Sequence, residues 1–294
     1  MIIEIENKMY PEILKKIKKP PKKLYLKGNI KILQEPGIAI IGSRNCSKYG
    51  ENMAIKFSKN LAQYNLNIIS GMAIGIDSWA HKGALECGGK TIAVLPCGLD
   101  NIYPKENIDL YNKIINNGGL VLTEYENDIK ADYNKFLERN RIVSGLSIGT
   151  LVIEGGKRSG TSVTARLTKE QNKLVFCIPS SLENPKGITP NNLIKQGNIL
   201  VTQVEDIIQK YPELNLKIIK NTKKKIEEVI EKEYKEVYKI IPEEGTIHIN
   251  EILKKLNLGI QEINYKLMML ELEDKIVSLP GQNYKRKWKN IIIK

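Results

Sequence analysis

The sequence is poor in the residues that build metal sites and disulfide frameworks. It contains two histidines and four cysteines among 294 residues. The cysteines (Cys46, Cys87, Cys97 and Cys177) form no CxxC pair and lack nearby histidine ligands, so we expect neither zinc nor disulfides. Buried or unreactive thiols are predicted instead, and no metal or other cofactor is expected.

Long apolar runs are also missing. Nowhere do about eighteen apolar residues follow one another, and the start, MIIEIENKMY, carries acidic residues among its first apolar ones. The sequence therefore supports neither a membrane span nor export. We expect a cytoplasmic protein with no membrane partner.

Positive charge, in contrast, is in excess. The chain has 46 lysines and arginines against 33 aspartates and glutamates, which leaves a net charge of +13 at pH 7. This balance favours a polyanionic partner, although lysine could also be the usual solvated residue of this chain. Lysines cluster at 15–23, 220–225 and 285–289, and Tyr284 and Trp288 flank the last cluster.

Apolar segments that favour strands alternate with helical segments through most of the chain. Strands are predicted at 37–42, 67–70, 91–98, 119–124, 150–156 and 174–180. Helices are predicted at 48–64, 77–87, 107–117, 136–144 and 161–172. Strands that are apolar throughout are buried on both faces, which is typical of a parallel sheet covered by helices. We predict a doubly wound, mostly parallel Rossmann-like α/β domain, closed by a helix with Thr189 as N-cap and Pro190 as its first residue.

A second, smaller unit is predicted after a change in composition near Pro212. The predicted organisation is an N-terminal basic segment at 1–35, the Rossmann-like domain at 36–212, a linker at 213–225 and a C-terminal domain at 226–294. In the last of these, helices are predicted at 226–241, 248–256 and 260–272, followed by a hairpin that turns at Pro280 and Gly281. Three helices and a hairpin predict a winged-helix domain.

The candidate binding residues follow the predicted parallel strands. Ligands of doubly wound sheets bind beyond the carboxyl ends of the strands, where the chain order reverses. Those ends carry Gly42, Ser43 and Arg44, then Ser70 and Gly71, then the loop EGGKRSGTSVTA at 154–165. An arginine fork, backbone amides, hydroxyl groups and a helix N-terminus suit a phosphate. Tight turns that require glycine explain some of these glycines but not Arg44, Lys157 and Arg158.

Two common phosphate-binding motifs do not fit. The loop has Gly155 and Gly160 at P-loop spacing, but Thr161 stands where that motif has lysine, so we do not expect an ATPase. Gly42 is followed by Ser43 and Arg44 and not by a GxGxxG pattern, which excludes the dinucleotide fingerprint. Hydride transfer is therefore not expected.

The segment YNKFLERNRIVSGLS at 133–147 places an aromatic ring among cations. It contains Lys135, Phe136, Arg139 and Arg141. Single-stranded nucleic acid stacks its bases on rings while its phosphates meet arginines, so this segment indicates such a partner. Phe136 could equally be the core anchor of a helix.

The blocks GSRNCSKYG, SGMAIGIDSWAHKGALECGGKTIAVLPCGLDNIYP, FLERNRIVSGLS, EGGKRSGTSVTARLTKEQNKLVFCIP and NNLIKQGNILVT resemble, in order and spacing, the DNA processing protein A family (DprA, also called Smf). The resemblance covers about residues 10–210. It implies an extended Rossmann fold that dimerises, binds and protects single-stranded DNA and loads the RecA recombinase during natural transformation, with no catalytic residue. It also implies a set of DNA-binding residues, which comprises Arg44, Phe136, Arg139, Arg141, Lys157, Arg158, Ser159, Gly160 and Thr161.

The chain departs from the family pattern in places. Leu137 stands where proline usually follows the phenylalanine, and Tyr133 stands where a basic residue is expected. The third helix of the C-terminal domain is net acidic on its polar face, so phosphates would repel it. That domain is therefore predicted to bind protein, or DNA through its basic hairpin alone.

An enzymatic alternative is a nucleotide phosphoribohydrolase of the lysine-decarboxylase-like group, whose PGGxGTxxE loop is similar to EGGKRSGTSVT. Cleavage of an N-glycosidic bond requires a carboxylate, and Thr164 stands at the glutamate position. Asp77 and His81 are four residues apart on one predicted helix and could form an acid and base pair. More often such an aspartate is an N-cap and such a histidine is a packed residue.

Overall fold

The computed structural model describes residues 1–157, 159–217, 233–242, 245–256, 258–272 and 275–286. The chain forms two compact units, at residues 1–219 and 220–294. Most of the predicted linker at 213–225 lies outside the described residues, and its described start belongs to a short 3-10 helix at Pro212–Leu214.

Nine strands of the first unit form one sheet. They are β1 (Ile2–Glu4), β2 (Lys23–Gly28), β3 (Gly37–Ile41), β4 (Asn67–Ser70), β5 (Thr91–Val94), β6 (Leu120–Thr123), β7 (Gly149–Val152), β8 (Leu174–Cys177) and β9 (Ile199–Leu200). Their order is β1-β2-β6-β5-β4-β3-β7-β8-β9. The strands from β6 to β9 in this order pair in parallel, whereas β1 and β2 are antiparallel. The predicted mostly parallel α/β fold is confirmed.

Helices cover both faces of the sheet. In the first unit they are α1 (Glu12–Lys15), α2 (Lys48–Gln63), α3 (Ile76–Glu86), α4 (Ile108–Asn116), α5 (Tyr133–Leu146), α6 (Gly160–Glu170), α7 (Ile188–Lys195) and α8 (Glu205–Ile208). Every residue of the five central strands β3 to β7 is buried. Alternate residues of β3 divide between two cores, with Ile38 and Ile40 on the side of α2 and α3, and Ala39 and Ile41 on the side of α5 and α6. The apolar runs are continuous because both faces are covered.

The chain order reverses between β3 and β7. From β3 the chain runs outward through β4, β5 and β6, and then returns to β7 on the opposite side of β3. Ile41 pairs with Val152 in parallel, so both strands end at the same edge of the sheet. The loops that follow them lie side by side, and this edge is where doubly wound folds bind ligands.

The N-terminal residues belong to the sheet. The predicted boundary at residue 36 leaves out β1 and β2, which extend the sheet beyond β6. Leu24 and Leu26 of β2 are buried, with a half-buried residue between them and exposed residues at both ends. Such alternation is typical of an antiparallel strand near a sheet edge, and lysines at its exposed positions conceal it in the sequence.

Two predicted N-caps are wrong. α7 begins at Ile188, so Thr189 and Pro190 lie in its first turn. Instead of capping α7, the Thr189 hydroxyl group donates to the carbonyl of Gly156 at 2.7 Å. In α3 the N-cap is Gly75, so Asp77 is likewise a residue of the first turn.

The second unit contains three described helices and a small antiparallel sheet. The elements are α9 (Lys235–Ile240), β10 (Ile247–His248), α10 (Ile249–Lys255), α11 (Ile260–Leu272), β11 (Ile276–Leu279) and β12 (Asn283–Arg286). β12 pairs with both β10 and β11. The predicted start of the first helix, at 226–232, lies outside the described residues, as does most of the basic cluster at 285–289. Glu273 and Asp274, two of the acidic residues predicted on the polar face of the third helix, also lie outside them. The assignment of this unit as a winged helix stays a prediction.

The four cysteines carry free thiols, three of them buried and Cys46 half-buried. Among the described residues, no group of three or more histidine, cysteine or acidic side chains is arranged to hold a metal ion. The helices seen in the described ranges are also too short or too polar to cross a bilayer.

Candidate nucleic-acid interface

Arg44 lies at the exposed tip of the loop after β3. Its guanidinium carbon is 4.5 Å from the ring centre of Phe136, a cation–π contact. Gly75 supports this loop from below: its φ is +87°, and the amide of the next residue, Ile76, donates to the carbonyl of Ser43 at 3.1 Å. A Cβ atom at residue 75 would lie 2.3 Å from the Ser43 carbonyl oxygen. Only glycine therefore allows this close approach.

Phe136 is half-buried near the start of α5. The Asp132 side chain caps the helix by accepting from the amide of Lys135 at 3.0 Å, and it also forms an ion pair with the Lys135 ammonium group. In the described part of the chain, Phe136 belongs to none of the four buried apolar clusters. The ring is a surface feature and not a core anchor.

Asn140 connects the ring to the glycine-rich loop. It lies one helical turn after Phe136, on the same face of α5. A Cβ atom at Gly160 would be 4.0 Å from the Asn140 amide nitrogen. Arg44, Phe136, Asn140 and Gly160 are therefore successive neighbours at the ends of the parallel strands, and Lys157 precedes Gly160 in the same loop. We call these five residues the trough.

The glycine-rich loop after β7 is held at its base and open at its tip. Gly155 donates to the carbonyl of Lys186 at 2.6 Å, and Gly156 accepts from Thr189. Lys157 is exposed, whereas Arg158 lies outside the described residues. α6 then begins at Gly160 with no acidic residue in its first turn. Its N-terminal amides and Lys157 offer donors and positive charge to an anion.

Ser159 and Thr161 were both predicted to bind DNA, and both lie at the start of α6, where Thr161 is buried. Ser159 is the N-cap of α6, and its hydroxyl oxygen is buried with no hydrogen-bond partner among the described residues. Thr161 is 6% exposed. Further into the helix, Thr164 is buried and its hydroxyl group donates to the carbonyl of Gly160 at 3.2 Å. The position where a phosphoribohydrolase would need its glutamate is thus occupied by a neutral internal donor.

One carboxylate lies beneath the loops. Glu154 is fully buried and accepts from the Ser47 amide at 2.9 Å, from the Ser47 hydroxyl group and from the Asn184 amide group at 3.2 Å. A Cβ atom at Gly50 would be 2.5 Å from this carboxylate. The donors of Ser47 and Asn184 therefore satisfy the Glu154 carboxylate inside the protein, beside the start of α2, and the carboxylate does not face the trough.

Arg139 is buried, in contrast to Arg44. It is 3% exposed, and its Nη1 donates to the carbonyls of Gly71, at 2.5 Å, and Val94. Burial lowers the pKa of its guanidinium group to about 10. Arg139 was predicted to contact DNA, but its guanidinium group ties together the ends of β4 and β5. The face of α5 that carries Arg139 packs onto the sheet, so Arg139 holds the strand ends together from the interior and does not reach the surface of the trough.

Ser70 and Gly71, also predicted as binding residues, are buried too. The Ser70 hydroxyl group donates to the carbonyl of Ile40 at 2.6 Å, and the Gly71 amide donates to Asp77 at 3.1 Å. A Cβ atom at Gly71 would lie 2.5 Å from the Arg139 guanidinium group. Ser70 and Gly71 therefore form the buried layer beneath the trough, which we call the floor of the site, and are not exposed at its surface.

Asp77 and His81 do not form an accessible acid and base pair. Burial raises the pKa of the Asp77 carboxyl group, with Arg139 opposing the shift. His81 is fully buried with Nδ1 2.6 Å from the Thr91 hydroxyl oxygen, and burial lowers its pKa to about 3. A neutral, buried histidine in the helix agrees with the packing interpretation.

Arg141 is committed to an ion pair. Its guanidinium group bonds both carboxylate oxygens of Glu124, at 2.5 and 3.0 Å, and the two side chains are 19% and 15% exposed. Such a bidentate pair holds Arg141 against the end of β6. The structure therefore brings Arg44, Phe136 and the glycine-rich loop together, and it places Arg139 and Arg141 in supporting positions.

Sequence reasoning missed two residues of this edge, Asn140 and Lys186. Asn140 could have been found from helical spacing, since it lies four residues after Phe136. Lys186 follows β8, and its Nζ lies 3.5 Å from the Asn45 side-chain oxygen, which brings a further cation beside the Arg44 loop. The rule that parallel strands end at one edge could have indicated it.

Known proteins resemble this chain over most of its length. The model of the DNA recombination-mediator protein A family matches residues 1–212. The chain belongs to this family. It is 40% identical over 208 residues to Protein Smf of Escherichia coli, and the match covers 71% of this chain and 56% of that protein. It is 37% identical over 215 residues to DNA processing protein DprA of Bacillus subtilis, with 73% and 72% covered.

Solved structures of family members share the fold. The crystal structure of DNA processing protein A from Streptococcus pneumoniae superposes with a TM-score of 0.67 at 39% identity, covering 71% of this chain and 73% of that one. A structure of the Helicobacter pylori protein, described for its single-stranded DNA binding mode, gives a TM-score of 0.66 at 34% identity, covering 74% and 98%. The family resemblance predicted from the sequence is thereby confirmed.

Proposed function

We propose that this chain binds single-stranded DNA in the trough. The observation that carries the proposal is the stack of Arg44 on Phe136, beside the open donors of the glycine-rich loop. A strand would place its phosphates against Arg44, Lys157 and the α6 N-terminus while its bases stack on rings. The single-stranded DNA binding of the Helicobacter pylori relative supports the same role.

The first experiment is fluorescence anisotropy with a labelled oligonucleotide, single- or double-stranded, over a series of salt concentrations. We expect tighter binding of the single strand and an affinity that falls steeply with salt, because phosphate contacts release counterions. Arg44→Ala should weaken binding and reduce the salt slope by about 0.7. Arg166→Ala is the matched control, since Arg166 is exposed on α6 and paired with Glu170.

Two results would contradict this proposal: equal affinity for single and double strands, or unchanged affinity of Arg44→Ala. Release of a nucleobase from a nucleoside monophosphate would instead favour the phosphoribohydrolase. Thr164, bonded to Gly160 where that enzyme needs a carboxylate, supports a protein that binds and does not cleave. We therefore propose a non-enzymatic protein without a cofactor.

The proposed partners are those that the family resemblance implies. We propose that the protein acts as a homodimer in the cytoplasm, protects incoming DNA during transformation and loads RecA recombinase onto it. Two protomers side by side would lengthen the basic track. RecA ATPase activity on strands already coated with single-strand-binding protein should rise when the chain is added, and light scattering should give twice the monomer mass. An unchanged RecA rate or a monomer mass would refute the respective part.

A further inference from the structure

A second aromatic ring borders the trough. Tyr103 is 45% exposed, and its ring centre is 5.5 Å from that of Phe136 with an interplanar angle of 74°. Within the described residues, no hydrogen bond involves its hydroxyl group. A half-exposed ring at the edge of a binding site is available for a ligand.

The segment that carries Tyr103 is fixed to the floor of the site. Asn107 is buried, and its amide group donates to the carbonyl of Met72 at 2.7 Å and to the Ser78 hydroxyl oxygen at 2.8 Å. Ile74 and Ile108, one in each of the two joined segments, are 47% and 40% exposed. The two segments joined by Asn107 thus carry exposed apolar side chains in addition to the Tyr103 ring.

The arrangement of the rings limits what each can bind. Arg44 already covers part of the Phe136 ring. Because the rings of Tyr103 and Phe136 are nearly perpendicular, one flat base cannot stack on both. Each ring can take a different base only if the two bases have turned away from each other.

We propose that Tyr103 is a second base-stacking residue and that, with Phe136, it favours unpaired strands over duplex DNA. This inference rests on the proposed function. In a duplex, neighbouring bases of one strand are stacked about 3.4 Å apart, so turning two of them apart costs a few kcal/mol per step. A single strand turns its bases at a lower cost, and Tyr103 then adds a contact that a duplex cannot make.

The test compares two single-stranded oligonucleotides of equal length and charge, one with bases and one abasic, by anisotropy with the full chain. Tyr103→Ala should bind the oligonucleotide with bases about 5- to 150-fold more weakly than wild type, the usual range for one stacked base. It should bind the abasic one like wild type, with an unchanged salt slope. Tyr103→Phe keeps the ring and should match wild type on both.

Tyr265→Ala is the matched control. Tyr265 is 47% exposed and forms a similar edge-to-face pair with Tyr234, but it belongs to the second unit. It should bind like wild type. The inference is overturned if Tyr103→Ala binds like wild type, if it loses the abasic oligonucleotide equally, or if Tyr265→Ala loses as much. If wild type binds neither oligonucleotide, the proposed function itself fails.

Discussion

Two arginines that the sequence places in one DNA-binding set should behave in opposite ways. Arg44 is exposed on the Phe136 ring, whereas Arg139 is buried and donates to two backbone carbonyls. We therefore compare Arg44→Ala with Arg139→Met, which keeps the length of the side chain but removes its donors. The first should impair DNA binding and the second should impair stability.

The magnitudes follow from the contacts. Each buried carbonyl that loses its donor costs about 1–3 kcal/mol, so Arg139→Met should lower the free energy of unfolding by roughly 2–6 kcal/mol. For a unit of this size, 1 kcal/mol corresponds to about 2–4 °C, which gives a fall in Tm of roughly 4–24 °C. Arg44→Ala loses one exposed cation–π contact, about 0.5–1 kcal/mol, and so at most about 4 °C.

Circular dichroism during thermal unfolding measures the stability of each variant, and anisotropy at 15 °C measures its DNA affinity. Arg139→Met should retain most of its DNA affinity at this temperature because its guanidinium group does not face the trough. An unchanged Tm of Arg139→Met would refute the structural role. A large loss of DNA affinity at unchanged Tm would show that Arg139 reaches the strand.

Two further predictions concern the support of the site. The pKa of His81 falls from 6.5 to about 3 on folding, so between these values the unfolded state binds a proton that the folded state excludes. The contribution of His81 to the free energy of unfolding is therefore fully present above pH 6.5. As the pH falls below 6.5, the free energy of unfolding should decrease by about 1.4 kcal/mol per pH unit. Between pH 7 and pH 5, the free energy of unfolding measured by urea titration should fall by about 2 kcal/mol more in wild type than in His81→Asn. Equal falls in the two proteins would contradict the buried, neutral state of His81. Gly75→Ala should displace the Arg44 loop and weaken DNA binding, since its Cβ would meet the Ser43 carbonyl oxygen at 2.3 Å. Gly88→Ala has a similar positive φ of +70° but no neighbour within 4 Å, so it should cost only backbone strain; equal DNA affinities of the two variants would argue against the loop mechanism.

Much of the fold could be predicted because burial on both faces leaves a clear pattern. The run GIAII became β3, and the helix predicted at 260–272 is α11 over the same residues. The strands β1 and β2 were missed because they lie toward the sheet edge, where charged residues interrupt the apolar pattern. Helix starts were misplaced where a cap-like residue, Thr189, instead bonds a distant carbonyl.

The sequence alone determined the buried parallel sheet, the glycine-rich loop at one of its strand ends and the family. These depend on local patterns and on the rule that parallel strands end at one edge. Only the tertiary structure decided which cation is exposed, because the direction of a side chain depends on how its helix packs. Arg139 lies three residues after Phe136 on α5 and turns into the sheet, while Arg44, 92 residues before Phe136, lies on its ring.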